Sequence, residues 1–206
     1  MNKKTAWLKG VVVSFLVLVI VGISLYIIQM TSYIRQTLQW KPLVQQVLEE
    51  EDLLEYEDLV LSIIFTETKG KQIDIMQSSE SKYGEQNKVM SQEESIRNGV
   101  IHLSESIELS LNSGGDLWTG VQAYNFGKNY IDYVANNGGV NSLEIAENYS
   151  RDVLAPMLGN TTKKTYPYRN KQAFFYNGGK LYVNGGNFFY STLVKKNMKL
   201  INFFDK

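Results

Sequence analysis

The sequence predicts a mainly α-helical domain carried behind one N-terminal transmembrane helix, and three observations predict it. Gly10–Ile34 contains no charged residue, and within it Val11–Ile28 is almost continuously aliphatic or aromatic; about 20 apolar residues are enough to cross the core of a bilayer. Beyond that run, apolar residues recur at helical spacing in several short stretches divided by Gly- and Asn-rich breaks. Strand-like alternation is scarce.

Taken in order, residues 1–9 hold Lys3, Lys4 and Lys9, and the first charge after the apolar run is Arg35. The positive-inside rule places 1–9 in the cytoplasm, 10–34 in the membrane as a signal anchor, and the rest outside the cell membrane. A cleaved signal peptide fits less well. Its apolar region is shorter, and it ends in small residues rather than the Gln29, Met30, Tyr33 and Ile34 found here. Residues 35–56, with the acidic run Glu49–Asp52, read as a polar helical stalk leading to a domain over 57–206. In that domain Leu59, Val60, Ile63 and Ile64 mark an amphipathic helix reaching Glu67, with Gly70 as its left-handed stop. Residues 71–90 lack helical period and read as a loop. Ser91 and Glu94 form a capping box that opens a long helix to about Leu111. Asp116 caps a helix over Leu117–Tyr124. Another helix falls near 128–135, and one begins at Asn141 or Ser142 and runs to about Leu154. The two Asn-Gly-Gly turns, Asn177–Gly179 and Asn184–Gly186, either flank a short hairpin or join irregular segments before a last helix, Phe188–Asn197.

Composition narrows the chemistry. The chain is neutral overall, but after the apolar run 18 cations face all 21 acids, a balance of −3 that excludes the clustered basic face of a nucleic-acid binder. With no cysteine, disulfides, thiolate metal sites and cysteine nucleophiles are excluded. The single histidine, His102, argues against a Ser-His-Asp hydrolase or a multi-histidine metal centre, and it reads as a partly exposed structural residue. No cofactor or metal is expected, and the reactive groups must be carboxylates, hydroxyls and amides.

Glu67 is the candidate acid. It ends an apolar helical stretch, Ile63-Ile-Phe-Thr-Glu67, and burial there would favour the neutral carboxyl, as a general acid near neutral pH requires. Alone it reads equally well as a solvated glutamate at a helix end. Its neighbours change that balance: Asp74-Ile-Met-Gln-Ser-Ser-Glu80 follows a short loop, and Ala123-Tyr-Asn-Phe-Gly127 comes later.

Together, Glu67-Thr-x-Gly70, Ile75-Met-Gln77 and Ala123-Tyr-Asn-x-Gly127 resemble the three signature motifs of the goose-type lysozyme and soluble lytic transglycosylase superfamily. More narrowly, Asp74-x-Met-Gln-Ser-Ser-Glu-Ser81 with Gln122-Ala-Tyr-Asn-Phe-Gly127 resembles the bacterial lysozyme-like domain of Gram-positive cell-wall hydrolases, over most of 55–200. The resemblance implies a lysozyme-like fold, and a peptidoglycan glycosidase in which Glu67 protonates the bond between N-acetylmuramic acid and N-acetylglucosamine. It implies substrate contacts from Gln77, Ser78, Tyr124 and Asn125, and a late tyrosine whose hydroxyl approaches the acid. Tyr190, four residues before Val194, matches that tyrosine; Tyr149 with Val153 has the same spacing, and Tyr190 is preferred because it follows Asn184-Gly-Gly-Asn187. The narrower family is described as having muramidase activity and shares the Asp of its motif, so hydrolysis with Asp74 assisting is expected. Glu80 is another carboxylate within reach, and lytic transglycosylation, which needs one acid, is the alternative.

Two departures stand out: Thr68 replaces the usual Ser, and Phe126 the usual small residue before Gly127. Thirteen Tyr and nine Phe suit a sugar substrate. Two other function classes remain open: a non-catalytic peptidoglycan-binding surface protein, and a membrane component of a conjugation or secretion machine, since relatives occur in conjugative elements.

Overall fold

A computed structural model describes residues 3–86 and 88–205. Met1 and Asn2, at the start of the expected cytoplasmic tail, lie outside the described residues, as do the side chains of Lys3, Lys4 and Lys9 on which the expected orientation rests.

The chain is mainly α-helical. Helix α1 spans Lys3–Leu38, 36 residues, roughly 54 Å at 1.5 Å per residue. Its apolar window is wholly unburied, and residues such as Phe15, Leu18 and Ile28 are more than half exposed. A helix apolar on every side is stable in lipid rather than in water.

The segment expected as a solvated stalk is instead built into the domain. Helix α1 runs on past the apolar stretch and buries Ile34 and Thr37, and α2 (Lys41–Glu50) buries Val44, Val47 and Leu48. The reason is spacing: residues 34, 37, 44, 47 and 48 recur at three, four and seven, an apolar stripe that its acidic neighbours obscure. Gly70 fixes the junction with α1. It has φ +71°, and a Cβ there would lie 2.5 Å from the Gln36 carbonyl oxygen. Trp40 Nε1 donates to the Gly70 carbonyl at 3.0 Å, and the Lys71 ammonium lies 4.4 Å from the centre of the Tyr33 ring.

A 3₁₀ turn (Leu54–Tyr56) leads into α3 (Glu57–Glu67), which is the axis of the domain. Seven consecutive residues, Leu59–Phe65, are buried, and each fully buried aliphatic or aromatic side chain contributes roughly 1.5–3 kcal/mol. The expected loop 71–90 contains one short helix, α4 (Ser79–Tyr83). Helix α5 (Gln92–Asn112) opens as the capping box predicts, Ser91 Oγ accepting from the Glu94 amide at 3.1 Å. Helix α6 (Leu117–Phe126) is capped by Asp116, which accepts from Thr119 N at 2.8 Å. At Gly120 the two helices touch: a Cβ would sit 2.6 Å from Ile107 Cα.

Helix α7 (Asn129–Ala135) follows, then α8 (Leu143–Tyr149) capped by Ser142, a π turn over Ser150–Leu154, and α9 (Ala155–Met157). The only sheet among the described residues is an antiparallel pair, β1 (Thr165–Pro167) and β2 (Lys180–Tyr182), with α10 (Lys171–Asn177) between them. The last helix, α11 (Tyr190–Phe204), starts two residues later than expected and runs seven further, because Val194 and Ile201 bury one side of it against the first core. That core surrounds α3. A second gathers Phe126, Tyr130, Tyr149, Phe188 and Phe189, with Tyr130 and Tyr149 edge-on, ring centres 5.1 Å apart.

Candidate active site

Glu67 is the last residue of α3, where the apolar helix surfaces at a cleft of about 460 Å³, a size suited to a small ligand or a few sugar units. Thr68 ties this helix end to the next loop, its hydroxyl donating to the Ile75 carbonyl at 2.8 Å. Gln77, Tyr124 and Asn125 line the cleft beside Glu67, with Glu80, Ser81 and His102 also in its walls.

Burial pushes the Glu67 carboxyl up to about 7, and the nearby Asp74 charge adds to that; the Tyr190 hydrogen bond and the Lys69 ammonium oppose it. The desolvation outweighs the two stabilising contacts because the helix that delivers Glu67 is apolar through Phe65. At neutral pH the group is therefore poised between acid and carboxylate. The Tyr190 hydroxyl donates to Glu67 Oε1 at 2.7 Å. Tyr149 lies elsewhere, its hydroxyl buried in the second core without a partner, so of the two tyrosines with the same spacing Tyr190 is the one beside the acid.

Tyr190 reaches this position because the Ala-Tyr-Asn motif staples the loop before α11. Gln122 Nε2 donates to the Asn187 carbonyl at 3.0 Å and its Oε1 accepts from Ser191 N at 3.0 Å, while Asn125 Oδ1 accepts from Asn187 N at 2.8 Å. Tyr124 stacks on Tyr190, ring centres 6.2 Å apart and planes within 12°, and donates to the Met76 carbonyl at 2.8 Å. One motif thus links the acid's tyrosine to the Met-Gln loop. Gln77 holds that loop with φ +52°, its amide donating to Gln72 Oε1 at 2.9 Å and to the Asp74 carbonyl at 3.0 Å.

Two expected site residues do not face the cleft. Asp74 is 8% exposed, and its carboxylate accepts four hydrogen bonds: from Ser78 N (2.8 Å), Ser78 Oγ (3.2 Å), Ser95 Oγ (2.6 Å) and Ser79 N (2.9 Å). Burial alone would raise its pKa, but these donors outweigh it and hold the carboxyl below the usual range. It caps the start of α4 and pins that turn to α5, as a short acidic side chain beside free backbone amides tends to do. Ser78 is fully buried, and its hydroxyl is spent on Asp74 instead of the cleft.

His102, read from sequence as structural, stands in the cleft wall with its ring 5.1 Å from Tyr124, and burial lowers its pKa, which keeps it neutral. The signal was present in the spacing Ser95, Gly99, His102, Ser106, a small and polar stripe on α5. Gln122 and Asn187 were also missed as positioning residues, because Gln122's partners lie 65 and 69 positions away and Asn187's lie 65 and 62 positions away. Among the described residues the one trio of carboxylates near enough to share an ion is Glu57, Asp58 and Asp205. None of them lines the cleft, and the Lys41 ammonium already sits 3.0 Å from Glu57 and 2.5 Å from Asp205.

Comparisons with known proteins agree with this architecture. The family described as "Lysozyme-like" matches residues 34–198. The pneumococcal vaccine antigen A of Streptococcus pneumoniae serotype 4 is 47% identical over 171 residues, 83% of each chain. The bifunctional muramidase/DL-endopeptidase CwlT of Bacillus subtilis is 32% identical over 113 residues, 55% of this chain and 33% of CwlT. A crystal structure described as similar to lipoprotein, NLP/P60 family, from Staphylococcus aureus Mu50 superposes with a TM-score of 0.72 at 32% identity, covering 80% of this chain; the chain spans about half, 52%, of the staphylococcal one. With a family match that begins at residue 34, where α1 enters the core, and ends at 198 inside α11, the chain belongs to the lysozyme-like family.

Proposed function

We propose that this chain is a membrane-anchored muramidase that cleaves the β-1,4 bond between N-acetylmuramic acid and N-acetylglucosamine in peptidoglycan, with Glu67 as general acid. The observation that carries the reading is the placement of the Glu67 carboxyl in a cleft walled by amides and aromatics, with the Tyr190 hydroxyl donating to it at 2.7 Å; burial there raises its pKa to about 7. The protonated form gives its proton to the glycosidic oxygen as the bond to the sugar weakens. Gln77, Asn125 and Ser81 offer donors and acceptors for N-acetyl and hydroxyl groups, and Tyr124 offers a ring face. Asp74 acts through the turn it fixes and through its charge, which helps keep Glu67 protonated. The apolar helix α1 anchors the domain, and the three lysines before it favour a domain on the wall side.

Hydrolysis is the preferred outcome because CwlT is named a muramidase. Lytic transglycosylation is the second reading, favoured by one observation: the Asp74 carboxylate is engaged by four donors, which leaves Glu67 and the exposed Glu80 as the carboxylates in the cleft. Digesting purified peptidoglycan with the detergent-solubilised chain separates the two. Reducing N-acetylmuramic ends support hydrolysis and 1,6-anhydro ends the alternative. Glu67→Gln is expected to lose roughly 10²–10⁴-fold of either activity, and cleavage near the wild-type rate by that variant rejects the assignment.

A further inference from the structure

Helix α1 enters the domain without a spacer. Its apolar stretch, Val11–Ile28, is about 27 Å long at 1.5 Å per residue, close to the thickness of a bilayer's hydrocarbon core. With that stretch in lipid, the hydrocarbon ends at Ile28. Met30 and Tyr33 already pack against the first core, and Ile34 is buried in it. The domain therefore begins about 3 Å of helix above the hydrocarbon.

The segment after Gly70 lies at that level. Gln29 Nε2 donates to the Tyr33 hydroxyl at 2.8 Å, which brings the tip of the phenol down beside the end of the apolar stretch. The Lys71 ammonium lies over the same ring, 4.4 Å from its centre. It thus stands beside the turn from Gln29 to Tyr33, about 2–8 Å above Ile28, where a headgroup layer about 5–7 Å deep covers the hydrocarbon. Lys71, Gln72 and Ile73 are exposed in succession, Ile73 by 55%. Arg35, also exposed, comes about 10 Å along α1 from Ile28. Neither cation is paired with an acid among the described residues. Cations at this level attract lipid phosphates, and an exposed aliphatic chain gains by leaving water.

The same segment is the rim of the cleft. Gln72 Oε1 accepts from Gln77 Nε2 at 2.9 Å, and Gln77 lines the cleft. Gly70 packs on the Gln36 carbonyl, about 12 Å along α1 from Ile28, and Glu67 is at most about 11 Å from Gly70 at 3.8 Å per residue. The acid is therefore within about 25 Å of the hydrocarbon. We propose that Lys71–Ile73, with Arg35, forms a lipid-contacting rim that seats the cleft on the bilayer surface. Lys71 and Arg35 pair with headgroup phosphates, and Ile73 inserts between the headgroups. The glycan that reaches Glu67 is then the layer lying against the membrane, supplied by a reaction that delivers glycan at the membrane surface.

This inference rests on α1 being the membrane anchor, and its test separates the two claims. The chain has no cysteine, so Ile73→Cys gives one labelling site for a fluorescent dye. Val140→Cys is the comparison: Val140 is exposed, and its neighbour Gly139 lies against Gly114, about 20 Å along α5 from Gly99, which packs on Met76. Each full-length labelled chain is reconstituted in vesicles of phosphatidylglycerol and phosphatidylethanolamine that carry a nitroxide quencher on the headgroup. The dye at 73 should be quenched and the dye at 140 should not. The ratio of quenched to unquenched lifetimes at 73 reports seated against lifted domains. Arg35→Gln with Lys71→Gln should lower that ratio roughly five- to thirtyfold, from about 1 kcal/mol per cation at an anionic surface, and added salt should lower it too. Equal quenching at the two sites, or a ratio untouched by the double substitution, overturns the proposal. A chain that floats with the vesicles while the dye at 73 stays unquenched overturns the rim alone. One that fails to float overturns the anchor and the rim with it. None of these readouts uses cleavage, so the glycosidase reading is tested separately.

Discussion

Replacing Tyr190 with Phe removes one hydroxyl and keeps the ring that stacks on Tyr124. That hydroxyl donates to Glu67 Oε1 at 2.7 Å and lowers the carboxyl's pKa against the stronger upward push of burial. A hydrogen bond to a charged group contributes about 1.5–3 kcal/mol, and the neutral acid retains part of it. A difference of about 1.4 kcal/mol between the two protonation states corresponds to one pKa unit. From a starting value of about 7, the variant's carboxyl should titrate roughly one unit higher. A general acid works protonated, so activity falls as pH rises through this pKa, and that upper limb should move up by about one unit in Tyr190→Phe. The plateau should drop, because the carboxyl loses the contact that orients it. The assay is the initial rate of peptidoglycan clearing between pH 5 and 9, read as a profile. An upper limb that stays in place, or moves to lower pH, would refute the reasoning: either Glu67 does not govern that limb or the hydrogen bond favours the neutral acid.

Three more expectations concern stability and can be checked by thermal unfolding. Glu67 is held near 7 in the fold against 4.5 unperturbed, so its own contribution to stability is fully present below about pH 4.5 and is lost as pH rises through 7. Glu67→Gln removes that penalty and should be the more stable protein at pH 8 by about 2–3 kcal/mol, a few degrees in Tm, with the gap closing near pH 4; equal stability at pH 8 would mean Glu67 is not desolvated. Asp74→Asn removes a charge that accepts four hydrogen bonds, and should cost about 1–3 kcal/mol and loosen the turn before α4; full stability with lost cleavage would instead give Asp74 a direct chemical role. A chain starting at residue 57 lacks buried Ile34, Val44, Val47 and Leu48. Those four represent roughly 6–12 kcal/mol, comparable to a whole domain's stability, so circular dichroism should show it unfolded, while a chain starting at Met30 should fold.

The sequence by itself determined the helical class, the long apolar N-terminal helix, the caps at Ser91 and Asp116, and the three motifs that carry the family resemblance. All of these are local: a run of apolar residues, a hydroxyl or carboxyl three positions before an amide, and short strings whose spacing survives without coordinates. Only the tertiary structure decided what those strings do to one another. It chose Tyr190 over Tyr149, because Gln122 and Asn125 hold the Asn187 loop from more than sixty positions away. It took Asp74 and Ser78 out of the cleft, since Ser95, on a different helix, supplies a hydrogen bond that fixes Asp74. It brought His102 into the cleft, and it turned residues 35–56 from a stalk into core. A carboxylate's role depends on which donors and apolar groups surround it, and those neighbours are brought together by long-range packing that no local pattern records.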